Sequence, residues 1–107
     1  MRLEVVTLGP ARVWCTGRHG GVSPGPYASA NLADHVGDDP EAVAQNRALA
    51  SDSTRMGSPS EWVGLHQVHG NDVVRVAAPL DGVPDADASV TTAVGLPLVI
   101  ITADCAP

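Results

Sequence analysis

The chain has 107 residues, of which 44% are hydrophobic and 17% charged, a composition typical of one small globular domain rather than of a disordered chain. Its formal net charge is −6 and it shows no cluster of basic residues, which argues against a nucleic-acid partner. The longest apolar run, residues 94–101, contains a glycine and a proline and is too short to cross a bilayer, so no membrane partner is expected.

The core is expected to be poor in large side chains, because phenylalanine is absent and only Trp14, Tyr27 and Trp62 are aromatic. A domain of this size buries roughly 60 to 65% of its unfolded surface. We therefore expect marginal stability unless another segment or subunit completes the core. Cys15 and Cys105 do not form a disulfide framework, and the first residues lack the pattern of a signal peptide, so a reducing cytoplasm is the predicted location.

Two β-rich runs open the chain. Leu3–Leu8 and residues 12–16 flank the turn-forming pair Gly9-Pro10, and this arrangement predicts a β-hairpin. Within the second run Cys15 alternates with Trp14 in an apolar strand, so we expect the Cys15 side chain in the core.

Residues 17–31 contain too many glycines and prolines for a regular element, and they predict a long, shaped loop. Polar side chains between the glycines favour a functional loop over a disordered one. Arg18 lies in this loop. Because a guanidinium binds carboxylate or phosphate through two N–H groups at once, Arg18 is a candidate anion ligand.

The segment Asp38-Asp39-Pro40-Glu41 is a strong helix start, with a carboxylate at the cap and proline in the first helical turn. The helix is predicted to run to about Ala50. Asn46 is expected to be the single polar residue on its inward face, and a buried amide needs hydrogen-bond partners. The residues predicted to face inward are Ala42, Val43, Asn46, Leu49 and Ala50.

The second half of the chain predicts short strands joined by turns. His69 stands at the entry of the turn Gly70-Asn71-Asp72. Because side chains alternate along a strand, His66 and His69 are expected on opposite faces unless a bulge intervenes. The predicted strands are residues 61–68, 73–76, a short one reached through 85–90, and a fully buried one over 98–102.

Cys105 follows the carboxyl end of the last predicted strand, where ligands gather in α/β sheets. Paired with His69, it suits either a zinc ion or a nucleophile with its base, because thiolate is both the metal-binding and the attacking form. The two residues do not have the spacing of a zinc finger. A buried, inert Cys105 and a surface His69 in a turn therefore remain open.

Seven short segments occur in order at suitable intervals. They read TGRHGGVS (16–23), YASANL (27–32), VGDDP (36–40), NR (46–47), QVHG (67–70), ADA (86–88) and TADCAP (102–107). Each is weak alone, but the ordered set is specific. Over residues 12–107 the series resembles the multicopper polyphenol oxidase (laccase domain) family, also called purine nucleoside phosphorylase.

The resemblance implies an α/β fold, a compact α/β/α sandwich, of which residues 1–107 are the amino-terminal part of a single domain. It also implies a zinc site of two histidines and one cysteine, in which His69 and Cys105 match the first two ligands and copper is the alternative metal. The third ligand belongs to a His-Ala-Gly-Trp segment that follows the cysteine motif in the family, and this sequence does not contain it.

The activities implied by the resemblance are phosphorolysis of adenosine, inosine, guanosine or methylthioadenosine, and deamination of adenosine. The expected partners are therefore a purine nucleoside and phosphate, together with the missing carboxyl half or another subunit. The 107-residue chain alone is expected to be inactive. From the types of residue present, we further expect Arg18 and neighbouring loop N–H groups to bind the phosphate, with Asn46 holding the loop in place from below.

Three alternatives stay open at the level of sequence. In the first, Cys105 is the nucleophile of a cysteine hydrolase and His69 its base. In the second, the protein is a copper-dependent polyphenol oxidase. In the third, it is a non-catalytic module whose glycine-rich loop binds a phosphate-bearing ligand.

Overall fold

The chain divides into two compact units, Met1–Arg55 and Met56–Pro107. The computed structural model describes residues 1–102, so Cys105 lies outside the described residues. Helix and strand both occur along the described chain, in agreement with the predicted α/β class. No helix within residues 1–102 is long and apolar enough to cross a membrane.

The first unit opens with the predicted hairpin. Strand β1, Leu3–Leu8, pairs antiparallel with strand β2, Ala11–Thr16, and the turn between them contains Gly9 with a φ of 57°. The expectation of a buried Cys15 is wrong, because its side chain is exposed. The alternation of side chains along β2 does not produce one buried face. Side chains on both faces of the hairpin are largely exposed, and only Trp14 of β2 is half-buried.

Helix α1 spans Pro40–Thr54 and begins as predicted. The Asp39 carboxylate accepts a hydrogen bond from the N–H of Glu41 at 3.0 Å, which caps the first turn. The helix runs four residues past the predicted end at Ala50 and is terminated by Arg55, whose backbone is left-handed with a φ of 56°. Thr54 in the last turn is buried, and its hydroxyl donates to the Ala50 carbonyl at 2.7 Å. A polar residue that satisfies its own hydroxyl within the helix does not end the helix.

The buried face of α1 differs from the prediction at one position. Leu49 is 39% exposed, so its expected burial is wrong. Asn46, Ala50 and Thr54 follow one another at intervals of four, and Leu49 lies at the edge of the stripe that they define. The buried residues of α1 are Ala42, Val43, Asn46, Ala50 and Thr54.

In the second unit, strand β3, Val73–Arg75, pairs in parallel with strand β4, Ala88–Val90. The strands predicted over 61–68 and 98–102 are wrong for the described residues, which form only a single bridge between Val63 and Leu98 and another between His66 and Asp85. A short 3-10 turn occupies 59–61, and Ile100 is 40% exposed rather than fully buried. The buried apolar residues among the described part of this unit are Val63, Val76, Ala86 and Pro97.

Candidate functional site

Asn46 ties α1 to the glycine-rich loop of the first unit. Its side chain is wholly buried. The Oδ1 atom accepts from the N–H of Val22 at 2.8 Å, while Nδ2 donates to the Ser23 hydroxyl and to the Asn31 carbonyl, both at 2.8 Å. The amide that was expected to need partners therefore has three, two from the middle of the loop and one from its carboxyl end.

Arg18 is exposed and is partly engaged within the same loop. Its Nε and Nη2 atoms donate to the Ala28 carbonyl at 3.2 and 2.9 Å, and its own carbonyl accepts from the N–H groups of Ser29 and Ala30. Two of the five guanidinium N–H groups are used in this way. These bonds hold the guanidinium at the loop surface, where the others can face a ligand.

A surface cleft of about 410 Å³ lies beside this loop. Arg2, Arg18 and His19 line it together with one carboxylate, Glu4. Two permanently charged guanidinium groups against one carboxylate give this part of an acidic chain a local excess of positive charge. A phosphate-sized anion is the ligand class that such a lining attracts.

Asp38 extends the network around Asn46. Its Oδ2 accepts from the Ser23 hydroxyl at 2.5 Å and from Asn31 Nδ2 at 3.1 Å, and its Oδ1 accepts from the Asp39 N–H at 2.8 Å. The hydrogen bond from Ser23 is the largest influence, and with those from Asn31 and Asp39 it outweighs the opposing desolvation. The pKa of the Asp38 carboxyl is consequently below its ordinary value of 3.8.

This shift predicts that acid weakens the first unit. In the unfolded chain the Asp38 carboxyl keeps its ordinary pKa of 3.8. The unfolded chain therefore binds more protons than the folded chain between the folded-state pKa and pH 3.8. The contribution of Asp38 is therefore present above that value and is lost as the pH falls through the folded-state pKa. Urea unfolding measured from about pH 6 to about pH 2 should show a shallower loss of stability for Asp38→Asn than for the wild type. Asp52→Asn, an exposed change on α1, is the control and should keep the wild-type slope.

His69 is exposed and has a left-handed backbone conformation, with a φ of 59°. The carboxylate of Asp87 accepts hydrogen bonds from three successive backbone N–H groups, those of residues 68–70. Oδ1 accepts from Val68 at 3.0 Å and from His69 at 2.8 Å, and Oδ2 accepts from Gly70 at 2.7 Å. One side chain thus holds the whole turn that presents the His69 imidazole.

The carboxyl of Asp87 has a lowered pKa. Desolvation is the largest single influence and raises it, but the hydrogen bonds from Gly70, His69 and Val68 together with the charge of the His69 ring outweigh it. The carboxylate form is therefore the one that fits this turn.

His66 has a carboxylate neighbour as well. Its Nδ1 atom lies 2.7 Å from Oδ1 of Asp85, and both side chains are exposed. Sequence reasoning missed Asp85 and Asp87, although a signal was present. The run Asp85-Ala86-Asp87 alternates polar and apolar residues, a pattern that predicts a buried Ala86 with both carboxylates on the opposite face, and Ala86 is fully buried in the structure.

Of the two metal ligands predicted from the sequence, only His69 lies within the described residues. His69 is one suitable ligand, and within residues 1–102 no group of three or more His, Cys, Asp or Glu side chains is arranged to hold a metal ion. Imidazole together with thiolate is a donor set that suits zinc, and the exposed His69 ring is accessible to an ion. The predicted second ligand, Cys105, falls in the part of the chain that is not described.

Comparison with known proteins points to one family. A family model described as multi-copper polyphenol oxidoreductase laccase matches residues 12–107. A protein of Corynebacterium glutamicum named purine nucleoside phosphorylase is 50% identical over 101 residues, which cover 92% of this chain and 41% of that protein. A Streptomyces coelicolor protein of the same name is 48% identical over 103 residues, covering 94% of this chain and 42% of its own length. The chain thus spans about two fifths of these curated relatives.

Solved structures agree with the sequence matches. A Neisseria meningitidis protein superimposes with a TM-score of 0.80 at 40% identity, covering 96% of this chain and 42% of its own. YlmD from Geobacillus stearothermophilus gives a TM-score of 0.76 at 36% identity, covering 82% of this chain and 36% of its own. These superpositions confirm the predicted α/β fold class.

Proposed function

The chain belongs to the multi-copper polyphenol oxidoreductase laccase family, and from that premise we propose that it is the amino-terminal part of a purine nucleoside phosphorylase. The observation that supports the proposal is the likeness to the relatives in Corynebacterium and Streptomyces, both named purine nucleoside phosphorylase. The substrates are a purine nucleoside, namely adenosine, inosine, guanosine or methylthioadenosine, and phosphate. Adenosine deamination is proposed as a second activity of the complete protein, and the reducing cytoplasm as its location.

The phosphate is proposed to bind beside Arg18. Support comes from the cleft that Arg18 shares with Arg2 and His19, and from the hydrogen bonds by which Asn46 fixes the shape of the loop that carries Arg18. Phosphorolysis requires a phosphate oxygen to approach the anomeric carbon of the sugar while the purine leaves. A guanidinium neutralises the phosphate charge and orients two of its oxygens at once.

His69 and Cys105 are proposed to hold zinc, with copper as the alternative metal. A soft thiolate and a neutral imidazole favour zinc, and a single cysteine with one histidine does not make a multicopper centre. When bound, zinc supplies a Lewis acid that polarises a water or a substrate oxygen. Because two ligands bind far less tightly than three, the chain alone is proposed to be inactive.

Exchanging segments between relatives tests the function. In a chimera, this chain replaces the matching 101 residues of the Corynebacterium glutamicum protein, and purine release from inosine is measured with and without phosphate. We expect phosphate-dependent release that His69→Ala or Cys105→Ala lowers more than about 100-fold, beyond the range typical of residues that only support a ligand. His66→Ala, at an exposed histidine of the same segment, is the matched control and should retain activity.

Two results would contradict the proposal. One is a folded chimera that releases no purine, and the other is full activity after His69→Ala. The purified 107-residue chain could instead release adenine from adenosine in a zinc-dependent reaction that Cys105→Ala abolishes. That result would refute only the proposal that the chain alone is inactive. Iodoacetamide labelling distinguishes the cysteine hydrolase from the zinc enzyme. A nucleophilic Cys105 should react quickly without metal, whereas a zinc-bound thiolate should be protected until the metal is chelated.

A further inference from the structure

We propose that Asp87 is a positioning residue that sets the direction of the His69 imidazole by holding the backbone of residues 68–70. The inference deepens the proposed function and rests on its assignment of His69 as a ligand. Asp87 itself is assigned no contact with metal or substrate. Its action passes entirely through the main chain of the turn.

His69 has an unusual backbone conformation. Its φ of 59° lies in the left-handed region, which L-residues other than glycine adopt rarely and at a cost. A side chain attached to such a residue leaves the backbone in a direction that an extended residue cannot reproduce. If the backbone relaxed to negative φ, the imidazole would point elsewhere.

Three N–H donors converge at this turn. Successive N–H groups around a left-handed residue form a concave site that attracts an anion. Here the carboxylate of Asp87 is that anion, at 2.7 to 3.0 Å from all three nitrogens. These bonds compensate the unfavourable conformation of His69. Without the carboxylate the three N–H groups would lose their common acceptor.

Asp87 is itself anchored by its backbone. Its own N–H donates to the Asp72 carbonyl at 3.1 Å, Ala86 before it is fully buried, and β4 begins directly after it. The carboxylate lies close to the backbone of the turn, because a Cβ added at Gly70 would be 3.3 Å from Oδ2. The carboxylate therefore has a fixed place from which to hold the turn.

The test compares Asp87→Asn with Asp85→Asn in the 107-residue chain. Both remove one negative charge, but Asp85 contacts the ring of His66 and not the turn. NMR measures amide exchange at residues 68–70, the φ-dependent coupling of His69, and the response of the His69 ring to added zinc. For Asp87→Asn we expect exchange about ten-fold faster and zinc affinity lower by about ten- to hundred-fold, the range for groups that orient a ligand. For Asp85→Asn, both the amide exchange rates at residues 68–70 and the zinc affinity should stay within about two-fold of the wild type.

Unchanged exchange and coupling in Asp87→Asn would overturn the proposal. So would faster exchange with zinc affinity within two-fold of the control, because Asp87 would then stabilise the turn without directing the ring. If Asp87→Asn does not fold, Gly70→Ala decides by the same measurements, since its added Cβ, 3.3 Å from Oδ2, forces the carboxylate to shift by a few tenths of an ångström while leaving every donor in place. If zinc leaves the wild-type His69 ring unchanged, the metal role fails, whereas exchange and coupling still decide whether Asp87 holds the backbone.

Discussion

Replacing Asn46 by alanine is expected to lower the free energy of unfolding by about 3 kcal/mol, enough to unfold much of a small, marginally stable domain. The change removes the shared partner of the Val22 N–H, the Ser23 hydroxyl and the Asn31 carbonyl, and it leaves a cavity at a fully buried position. Urea unfolding followed by circular dichroism measures the effect.

The matched control is Gln45→Ala, which shortens a neighbouring exposed amide on the same helix and should change stability by less than about 0.5 kcal/mol. Asn46→Asp is the sharper variant. It keeps the shape of the side chain but puts an oxygen where Nδ2 donates to Asn31, and it buries a charge. If both changes at position 46 behave like the control, the network does not hold the loop.

Gly21→Ala is expected to destabilise the first unit by a similar amount, about 3 kcal/mol, or to prevent its folding. An added Cβ would lie 2.3 Å from the Ser29 carbonyl oxygen, 2.4 Å from Asn46 Oδ1 and 2.5 Å from the Ala30 Cα. Two of these atoms are backbone and the third belongs to a fully hydrogen-bonded amide. None can move without breaking the network, so thermal unfolding should show a much lower midpoint.

Gly17→Ala makes the same chemical change in the same loop and serves as the control. Its added Cβ would meet Arg2 Cβ at 3.5 Å, an ordinary contact, so we expect a change within about 0.5 kcal/mol. Equal stability of the two variants would show that the loop repacks around position 21. Phosphate titration of both variants then tests whether the cleft beside Arg18 depends on the loop shape.

Several features could be predicted because short-range chemistry decides them. The β1–β2 hairpin follows from two β-rich runs around Gly9-Pro10, and the start of α1 follows from the capping carboxylate of Asp39 and the proline after it. The demand of Asn46 for partners also follows from its place on an apolar helix face. In each case the deciding interactions lie within a few residues, or concern one side chain's need for hydrogen bonds.

Other predictions failed because they depend on which surfaces meet. Cys15 and Leu49 have apolar patterns that suit burial, yet both are exposed in the described structure. The β-rich run over 61–68 makes two single bridges instead of a ladder. Burial and strand pairing require a partner surface in register, and neither propensity nor periodicity specifies that partner.

The sequence by itself determined the family, through seven ordered motifs, and it determined His69 as a candidate ligand through residue chemistry. Only the tertiary structure decided how His69 is held. Asp87 lies eighteen residues after His69 along the chain. It directly precedes β4, which pairs in parallel with β3 in the same unit. Three N–H groups converge on one carboxylate only after the chain has folded back, because a hydrogen bond depends on distance in space and not on separation in sequence.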